Sequence, residues 1–282
     1  MRINVPCKIN LFLDVTGRRA DGYHLLATAF HTVGIYDILT IAEADTTTLT
    51  VTGPYAGLSG DPEKNTVMKI YRHFEKEFGF NRNVAITLEK HIPVGAGLGG
   101  GSADAAYCIK ALNEIGGFGL SADAMRDIGV IYGADVPFFI DGGFAWAEGI
   151  GDVLLPKPRM NADIIVIYPN IHVSTKDAYA AIRPDDYGRG DAAAMRAAID
   201  SKRVDKVAGL CYNIFEGALF RNMEALAAVK KDIERHAGMT AHMSGSGSAF
   251  FIIFEDGMKA SLVYHALAEN MKDSHVFPAK FV

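Results

Sequence analysis

Residues 90–106 read KHIPVGAGLGGGSADAA, and this glycine-rich stretch decides the fold. Five of the seven residues from Gly95 to Gly101 are glycine. An alternating apolar run precedes them and apolar residues at helical spacing follow, so the pattern predicts a strand, a glycine loop and a helix. Glycine lets the main chain approach a ligand closely, and the N–H groups of the helix's first turn converge on one spot, which suits a phosphate chain. The alternative is a tight structural turn in which Ser102 is the N-cap of the helix.

Three better-known glycine loops do not match this stretch. No Gly-Lys-Ser or Gly-Lys-Thr follows the glycines, so the Walker A lysine is missing. Gly95, Gly97 and Gly100 satisfy the Gly-x-Gly-x-x-Gly spacing, but no second strand that ends in an acidic residue follows about 20 residues on, as a dinucleotide fold requires. The His-Arg-Asp loop of protein kinases is not found downstream.

Composition and charge narrow the class of protein. The 282 residues are 49% hydrophobic and 22% charged, which fits one large or two modest globular domains. A net charge of -5 without any cluster of Lys and Arg argues against a nucleic-acid partner. Three cysteines, odd in number and far apart, indicate reduced thiols in a cytoplasmic protein. No signal peptide or long apolar run is visible, so no membrane partner is expected.

The N-terminal segment forms a second informative stretch. The apolar residues Ile9, Leu11 and Leu13 alternate with Lys8, Asn10 and Phe12, so on a strand the second set shares one face. A lysine on such a face is usually solvated. The Asp21-Gly22 dipeptide that follows predicts a hairpin turn. The aromatic pair after it, Tyr23 and His24, is either part of the next strand or a platform for a flat ligand ring.

Three segments together resemble the motifs of the GHMP small-molecule kinases. They are PCKINLFL with GRRADGYH (residues 6–13 and 17–24), the glycine loop (93–106) and MSGSGS (243–248). The first motif is similar to a branch of that family in the non-mevalonate isoprenoid route, whose substrate carries a cytidine diphosphate group. Cys7 stands where the family usually has alanine, and we expect it only to pack.

The resemblance implies a fold and a division of the chain. The fold is α+β, a two-domain GHMP-kinase architecture with a ribosomal S5 domain 2-like N-terminal half and a ferredoxin-like C-terminal half. The Pro156-Lys157-Pro158 segment suggests the boundary. We therefore expect an ATP-binding domain over residues 1–155 and a substrate-side domain over residues 156–282. The oligomeric state is not predicted.

The resemblance also implies the chemistry, which is transfer of a phosphoryl group from ATP with Mg²⁺. Asp135 would accept the proton of the acceptor hydroxyl, and Lys8 beside it would neutralise charge on the phosphoryl oxygens. From the residues alone, Asp135 serves equally well as a cap between a glycine turn and a buried strand at 136–140. No metal ligand is named, because Gly100 and Gly101 stand where some relatives have serines.

Two further sets of residues follow from the resemblance. ATP is expected to contact Asn65, Pro93, Gly95, Ala96, Gly97, Leu98, Gly99, Gly100, Gly101, Ser102, Gly245 and Ser246. The substrate is expected to contact Asn10, Tyr23, His24, Phe30, Thr175 and Tyr179, with Tyr179 as a ring for the cytosine to stack on and His24 reading the base edge. Asn65 also suits the N-cap of a helix, and the glycines at 245 and 247 also suit a hairpin turn.

The remaining patterns predict ordinary scaffold. Strands are expected at 48–52, 164–168 and 249–254, helices at 220–235 and 258–271, and a mobile polar loop followed by helix between Asp185 and Ala208. Two other functions are open: a sister kinase that acts on mevalonate or homoserine, and a non-catalytic RNA-binding module. A sister kinase has no use for the Tyr23-His24 pair, and the negative charge disfavours the RNA-binding module.

Overall fold

A computed structural model describes residues 1–58 and 61–282 of the chain. The described strands are β1 (Arg2–Arg18), β2 (His24–Glu43), β3 (Thr48–Thr52), β4 (Val84–Glu89), β5 (Phe144–Glu148), β6 (Val153–Lys157), β7 (Asp163–Tyr168), β8 (Tyr212–Asn213), β9 (His242–Met243), β10 (Phe250–Phe254) and β11 (His275–Lys280). The described α-helices are α1 (Thr66–Phe78), α2 (Gly100–Gly116), α3 (Ala122–Tyr132), α4 (Val136–Asp141), α5 (Thr175–Ala181), α6 (Ala192–Asp200), α7 (Val204–Leu210), α8 (Ile214–Phe220), α9 (Glu224–Ala237) and α10 (Gly257–Asn270). None of these helices is long and apolar enough to cross a membrane.

The chain forms two compact units, each assembled from separated segments. The first unit contains Met1–Cys7, Ile35–Val94 and Gly99–Gly142. The second unit contains Lys8–Gly34, Gly95–Leu98 and Gly143–Val282. The long strands β1 and β2 therefore contribute residues to both units. The predicted domains, 1–155 and 156–282, are continuous stretches of the chain, whereas these units are built from separated segments. The boundary at residue 155 stays a prediction.

The first unit packs helices beside a strand ladder. Strand β4 pairs antiparallel with the C-terminal part of β2 and parallel with β3, whose bounds are those predicted. Helix α2 packs against α1, α3 and α4. Helix α1 begins after Asn65, whose side chain accepts a hydrogen bond from the N–H of Val67, and it ends at Gly79 in the left-handed conformation. The predicted N-cap is thus confirmed.

The second unit contains an antiparallel four-stranded sheet in the order β11-β7-β10-β9. Strands β7 and β10 are apolar along almost their whole length and lie in the core, as an internal strand must when both of its faces are covered. Strand β5 pairs with β2 and with β6, and β1 pairs in parallel with β8. The predicted strands 164–168 and 249–254 are confirmed to within one residue.

Two local predictions need correction. The apolar run after Asp135 is helix α4 and not a strand, because Pro137 suits a helix's first turn and a buried short run has no decisive period. The helix predicted at 220–235 begins at Glu224, after a separate short helix. The helix predicted between Asp185 and Ala208 is present as α6 and α7, and the loop before it holds a 3₁₀ turn at Pro184–Asp186. The N–H of Gly190 donates to the carboxylate of Asp14 at 2.8 Å. The mobility of this loop stays a prediction.

Candidate active site

Lys8 is buried on β1, and a chain of side-chain hydrogen bonds holds its amine. Its Nζ donates to Oδ1 of Asn10 at 2.7 Å, and it lies 5.3 Å from the centre of the Phe30 ring. Nδ2 of Asn10 donates to the hydroxyl of Thr28, which donates to the carbonyl of Phe12. Lys8 and Asn10 share one face of the strand, as the alternation predicts. Lys8 is not solvated, as a lysine on such a face usually is, because Lys8 and Asn10 are each only 3% exposed.

The same strand is joined to the glycine loop through Ser244. The Ser244 hydroxyl accepts a hydrogen bond from the N–H of Asn10 at 3.3 Å and donates one to the carbonyl of Gly97 at 3.0 Å. The N–H of Lys8 donates to the carbonyl of Leu98 at 2.9 Å, and the N–H of Ala249 donates to that of Ala96 at 3.0 Å. Residues from all three quoted segments, namely the N-terminal segment, the glycine loop and MSGSGS, meet here within the second unit.

Glycine is required in the loop for two separate reasons. Gly95, Gly97 and Gly99 have φ angles of 71°, 79° and 70°, a region that other residues enter at a cost. A Cβ built on Gly97 would lie 2.0 Å from the carbonyl oxygen of Ser244, so the two segments are too close for any side chain there. Every second residue from Gly95 to Gly99 therefore has a backbone conformation that favours glycine, which is more than a single turn needs.

Helix α2 continues directly from the loop. It starts after Gly99, and no side chain caps its N-terminus, so the alternative in which Ser102 is the N-cap is wrong. Gly100 and Gly101 occupy its first turn, where N–H groups have no partner within a helix and the helix dipole is positive. Pro93, in the turn before the loop, is buried.

Asp135 precedes α4 in the first unit. Asp135 occupies the N-cap position of that helix, as the capping alternative predicts, but its side chain makes no capping hydrogen bond. The residue is half-buried. Two residues earlier lies Gly133, where a built Cβ would be 3.6 Å from the Ser102 hydroxyl. The first unit thus brings the start of α2 beside the segment that carries Asp135. Asn65 uses its side-chain oxygen for the N-cap of α1.

Two of the aromatic residues expected around the substrate, His24 and Tyr179, form a cluster with Tyr187 and Phe215 in the second unit. The rings of His24 and Tyr179 are stacked, with centres 5.1 Å apart and planes 21° apart. Tyr179 also meets Phe215 edge-on at 4.9 Å, and His24 meets Tyr187 edge-on at 6.1 Å. Burial, followed by the charge of Arg18, lowers the pKa of His24. Tyr23 is 62% exposed, so its ring is accessible to a ligand.

The remaining predicted residues lie around the serine-glycine turn and on the neighbouring segment. The hydroxyls of Thr175 and Ser246 are 3.1 Å apart. Gly245 has a φ of 55°, and a Cβ there would lie 2.8 Å from the carbonyl oxygen of Gly97. The imidazole of His172 lies 3.3 Å from a Cβ built on Gly95. Phe30 is buried beside Lys8.

Sequence reasoning missed two residues that organise this arrangement, Thr28 and Ser244. Ser244 belongs to the quoted MSGSGS segment, but serines within a glycine turn are common and nothing singles it out. Thr28 lies in an apolar strand and carries no motif. Only the folded structure shows that both are fully buried and bonded to the strand of Lys8.

Among the described residues, no group of three or more His, Cys, Asp or Glu side chains could hold a metal ion. The three cysteines are free thiols. Burial raises the pKa of Cys108 and of Cys211, so neither is poised as a nucleophile.

Comparison with known proteins gives consistent matches. Residues 65–143 match the family described as GHMP kinases N terminal domain, and residues 192–273 match GHMP kinases C terminal. A 4-diphosphocytidyl-2-C-methyl-D-erythritol kinase of Clostridium perfringens is 32% identical over 98% of this chain and 96% of its own length. A crystal structure of 4-(cytidine 5'-diphospho)-2C-methyl-D-erythritol kinase matches with a TM-score of 0.83 at 33% identity, covering 100% of this chain and 99% of that one. A homoserine kinase from Cytophaga hutchinsonii shares the fold, with a TM-score of 0.72 at 22% identity over 98% of this chain and 94% of its own.

Proposed function

The chain belongs to the 4-diphosphocytidyl-2-C-methyl-D-erythritol kinase family of the GHMP kinases, and we propose that Lys8 and Asp135 carry its chemistry. It is an ATP-dependent small-molecule kinase of the non-mevalonate isoprenoid precursor pathway. It phosphorylates a hydroxyl of 4-diphosphocytidyl-2-C-methyl-D-erythritol to give the 2-phosphate. The mevalonate and homoserine alternatives are not favoured.

The reaction joins the substrate's hydroxyl oxygen to the γ-phosphorus while the bond from that phosphorus to the β–γ bridging oxygen breaks. Asp135 accepts the hydrogen bond of the attacking hydroxyl and takes its proton, and ADP leaves with the bridging oxygen. Lys8 neutralises charge that develops on the transferred phosphoryl oxygens. The observation that carries this assignment is the buried Lys8 amine, whose strand is hydrogen-bonded to Gly97 of the loop through Ser244.

ATP binds with its phosphates on the glycine loop. The loop residues from Gly95 to Gly101, with Pro93 before them and Ser102 after them, present backbone N–H groups and the start of α2 to the phosphate oxygens. Asn65, Gly245 and Ser246 complete the nucleotide contacts. Mg²⁺ bound together with the nucleotide would supply positive charge that offsets the charge of the triphosphate.

The cytidine diphosphate end of the substrate binds the aromatic cluster. Tyr23 and Tyr179 provide ring faces for the cytosine, and His24 reads the base edge. The ring of His24 covers one face of Tyr179, so the cytosine stacks on the opposite face of Tyr179 or takes the place of the imidazole. Asn10 and Phe30 hold Lys8 in place and contact the acceptor end. Thr175 contacts the substrate, and its hydroxyl lies 3.1 Å from that of Ser246 on the ATP side. The three free thiols support a place in the reducing cytoplasm.

The decisive experiment is ADP release by the purified chain with Mg-ATP and one of three acceptors. We expect release with 4-diphosphocytidyl-2-C-methyl-D-erythritol and none above background with mevalonate or homoserine. The Asp135→Asn variant, assayed in parallel, is the control for contaminating kinases. Release with mevalonate or homoserine alone would overturn the substrate and every cytidine contact while leaving the kinase family in place.

A further inference from the structure

A buried group of three charged residues lies at the start of the glycine loop, in the first unit. Lys90 follows β4, and its ammonium donates to the carboxylate of Asp37 on β2 and to Oδ2 of Asp104 on α2 at 2.5 Å. The side chains of Lys90, Asp37 and Asp104 are 4%, 0% and 5% exposed. The proposed phosphate chemistry makes no use of this group, which we name the Asp37–Lys90–Asp104 trio.

The trio is not expected to add much to the free energy of unfolding. Two carboxylates against one ammonium leave an excess negative charge in a buried place, and removing such charges from water costs more than a simple pairing returns. Oδ1 of Asp104 is buried and has no hydrogen-bond partner among the described residues. Burial, opposed by Lys90, raises the pKa of Asp104 to about 7. An arrangement of this kind points to a geometric role.

The geometry of the trio joins the two ends of the loop. Oδ1 of Asp37 accepts hydrogen bonds from the N–H groups of His91 at 2.6 Å and Ile92 at 2.8 Å, which shapes the exit from β4. A Cβ built on Gly100, the first residue of α2, would lie 2.9 Å from the Ile92 side chain and 3.5 Å from Oδ2 of Asp37. Asp104, one turn further on, is held by Lys90.

We propose that Asp37, Lys90 and Asp104 are positioning residues that set the separation and direction of the loop's two ends, and thereby the affinity for ATP. This inference rests on the proposed ATP site on the glycine loop. A helix N-terminus favours phosphate only when its N–H groups point at the phosphate oxygens, and a misplacement of about 1 Å can cost up to two orders of magnitude in function.

The test compares a variant that removes the hydrogen bond between Lys90 and Asp104, here called the tie, with a variant that keeps an acceptor for it. Asp104→Ala takes away the acceptor for Lys90, whereas Asp104→Asn retains an oxygen at that place. We expect the first to raise the KM for ATP about tenfold, with kcat and the substrate KM changing less than about twofold, and the second to stay within about twofold of wild type. Titration with a non-hydrolysable ATP analogue measures the same loss without turnover.

Two further variants separate positioning from destabilisation and from direct contact. Cys108→Ala removes a buried side chain one turn further along the same helix, so it should lower Tm and leave the KM for ATP unchanged. Asp37→Ala removes the acceptor for Lys90 and for the N–H groups of His91 and Ile92, and it should raise the KM for ATP as Asp104→Ala does. If Asp37→Ala has a normal KM, or if Asp104→Ala only lowers Tm as Cys108→Ala does, the positioning role is wrong. If wild type itself releases no ADP, the proposed function fails first.

Discussion

Substitution of Gly97 by alanine should separate the glycine loop from the serine-glycine turn and abolish tight ATP binding. The new Cβ would lie 2.0 Å from the carbonyl oxygen of Ser244, whereas ordinary contact begins at 3.4 Å, so the two segments must part by at least 1.4 Å. That movement breaks the 3.0 Å hydrogen bond between the Ser244 hydroxyl and the Gly97 carbonyl. The same hydroxyl accepts from the N–H of Asn10, so the strand that carries Lys8 loses the link to Gly97 that runs through Ser244.

The size of the effect follows from two contributions. Alanine at the φ of 79° costs about 1 kcal/mol. Loss of the Gly97 acceptor leaves the buried Ser244 hydroxyl without a hydrogen bond to donate, which costs about 2 kcal/mol. A total of about 3 kcal/mol against the native loop corresponds to roughly a hundredfold weaker binding.

The assay is a calorimetric titration of ATP into the Gly97→Ala variant, supported by the shift in Tm that ATP produces. Gly209→Ala is the matched control, because Gly209 lies on helix α7 with no atom within 4 Å of a built Cβ. That control should bind ATP normally and gain up to about 1 kcal/mol of stability. A dissociation constant for Gly97→Ala within threefold of wild type would show that the close approach to Ser244 does not support the ATP site.

Three other perturbations have defined outcomes. Asp135→Asn should lower kcat at least ~100-fold with ATP binding nearly intact, since it removes the proton acceptor without touching the loop; a near-normal rate in stopped-time ADP assays would reassign the role. Tyr179→Ala should raise the substrate KM about tenfold with a smaller change in kcat, whereas Tyr179→Phe keeps the ring and the KM; an unchanged KM for the alanine variant places the stacking ring elsewhere. Burial lowers the pKa of His31 to about 4. Between pH 6.5 and pH 4 the imidazole is therefore protonated in the unfolded chain and neutral in the folded chain, so the free energy of unfolding should fall as the pH drops through this range. The pH dependence of Tm in that window should weaken in His31→Gln, and an identical slope in both proteins would contradict the assignment.

Local patterns were sufficient for much of the scaffold. The alternation of Thr48–Thr52 and the N-cap at Asn65 depend on neighbouring residues alone, so the sequence predicts them correctly. The apolar run 136–140 fails because it is too short to show a helical or strand period, and its surroundings decide the outcome. Burial of Lys8 also could not be predicted, since the covering atoms come from distant parts of the chain.

The organisation of the site depends on contacts between residues far apart in sequence. Ser244 lies 234 residues from Asn10, and Lys90 lies 53 residues from Asp37. A lysine next to a polar turn and a serine among glycines both look ordinary in a sequence. The resemblance to the GHMP kinases predicted the family and the glycine loop, but it did not predict the Asp37–Lys90–Asp104 trio.

The interleaving of the two units along the chain bears on how the protein emerges from the ribosome. All residues of the first unit have been made once Gly142 is added, but the segment Lys8–Gly34 belongs to the second unit, and apart from the pairing of β1 with β2 its partners there do not yet exist. Strand β5, one of those partners, begins at Phe144, 110 residues after Gly34. At ~5–20 residues per second, this apolar segment stays without that partner for about 5–20 s of translation. Nascent chains of this kinase should therefore depend on chaperones that shield the β1 and β2 region until the second unit closes.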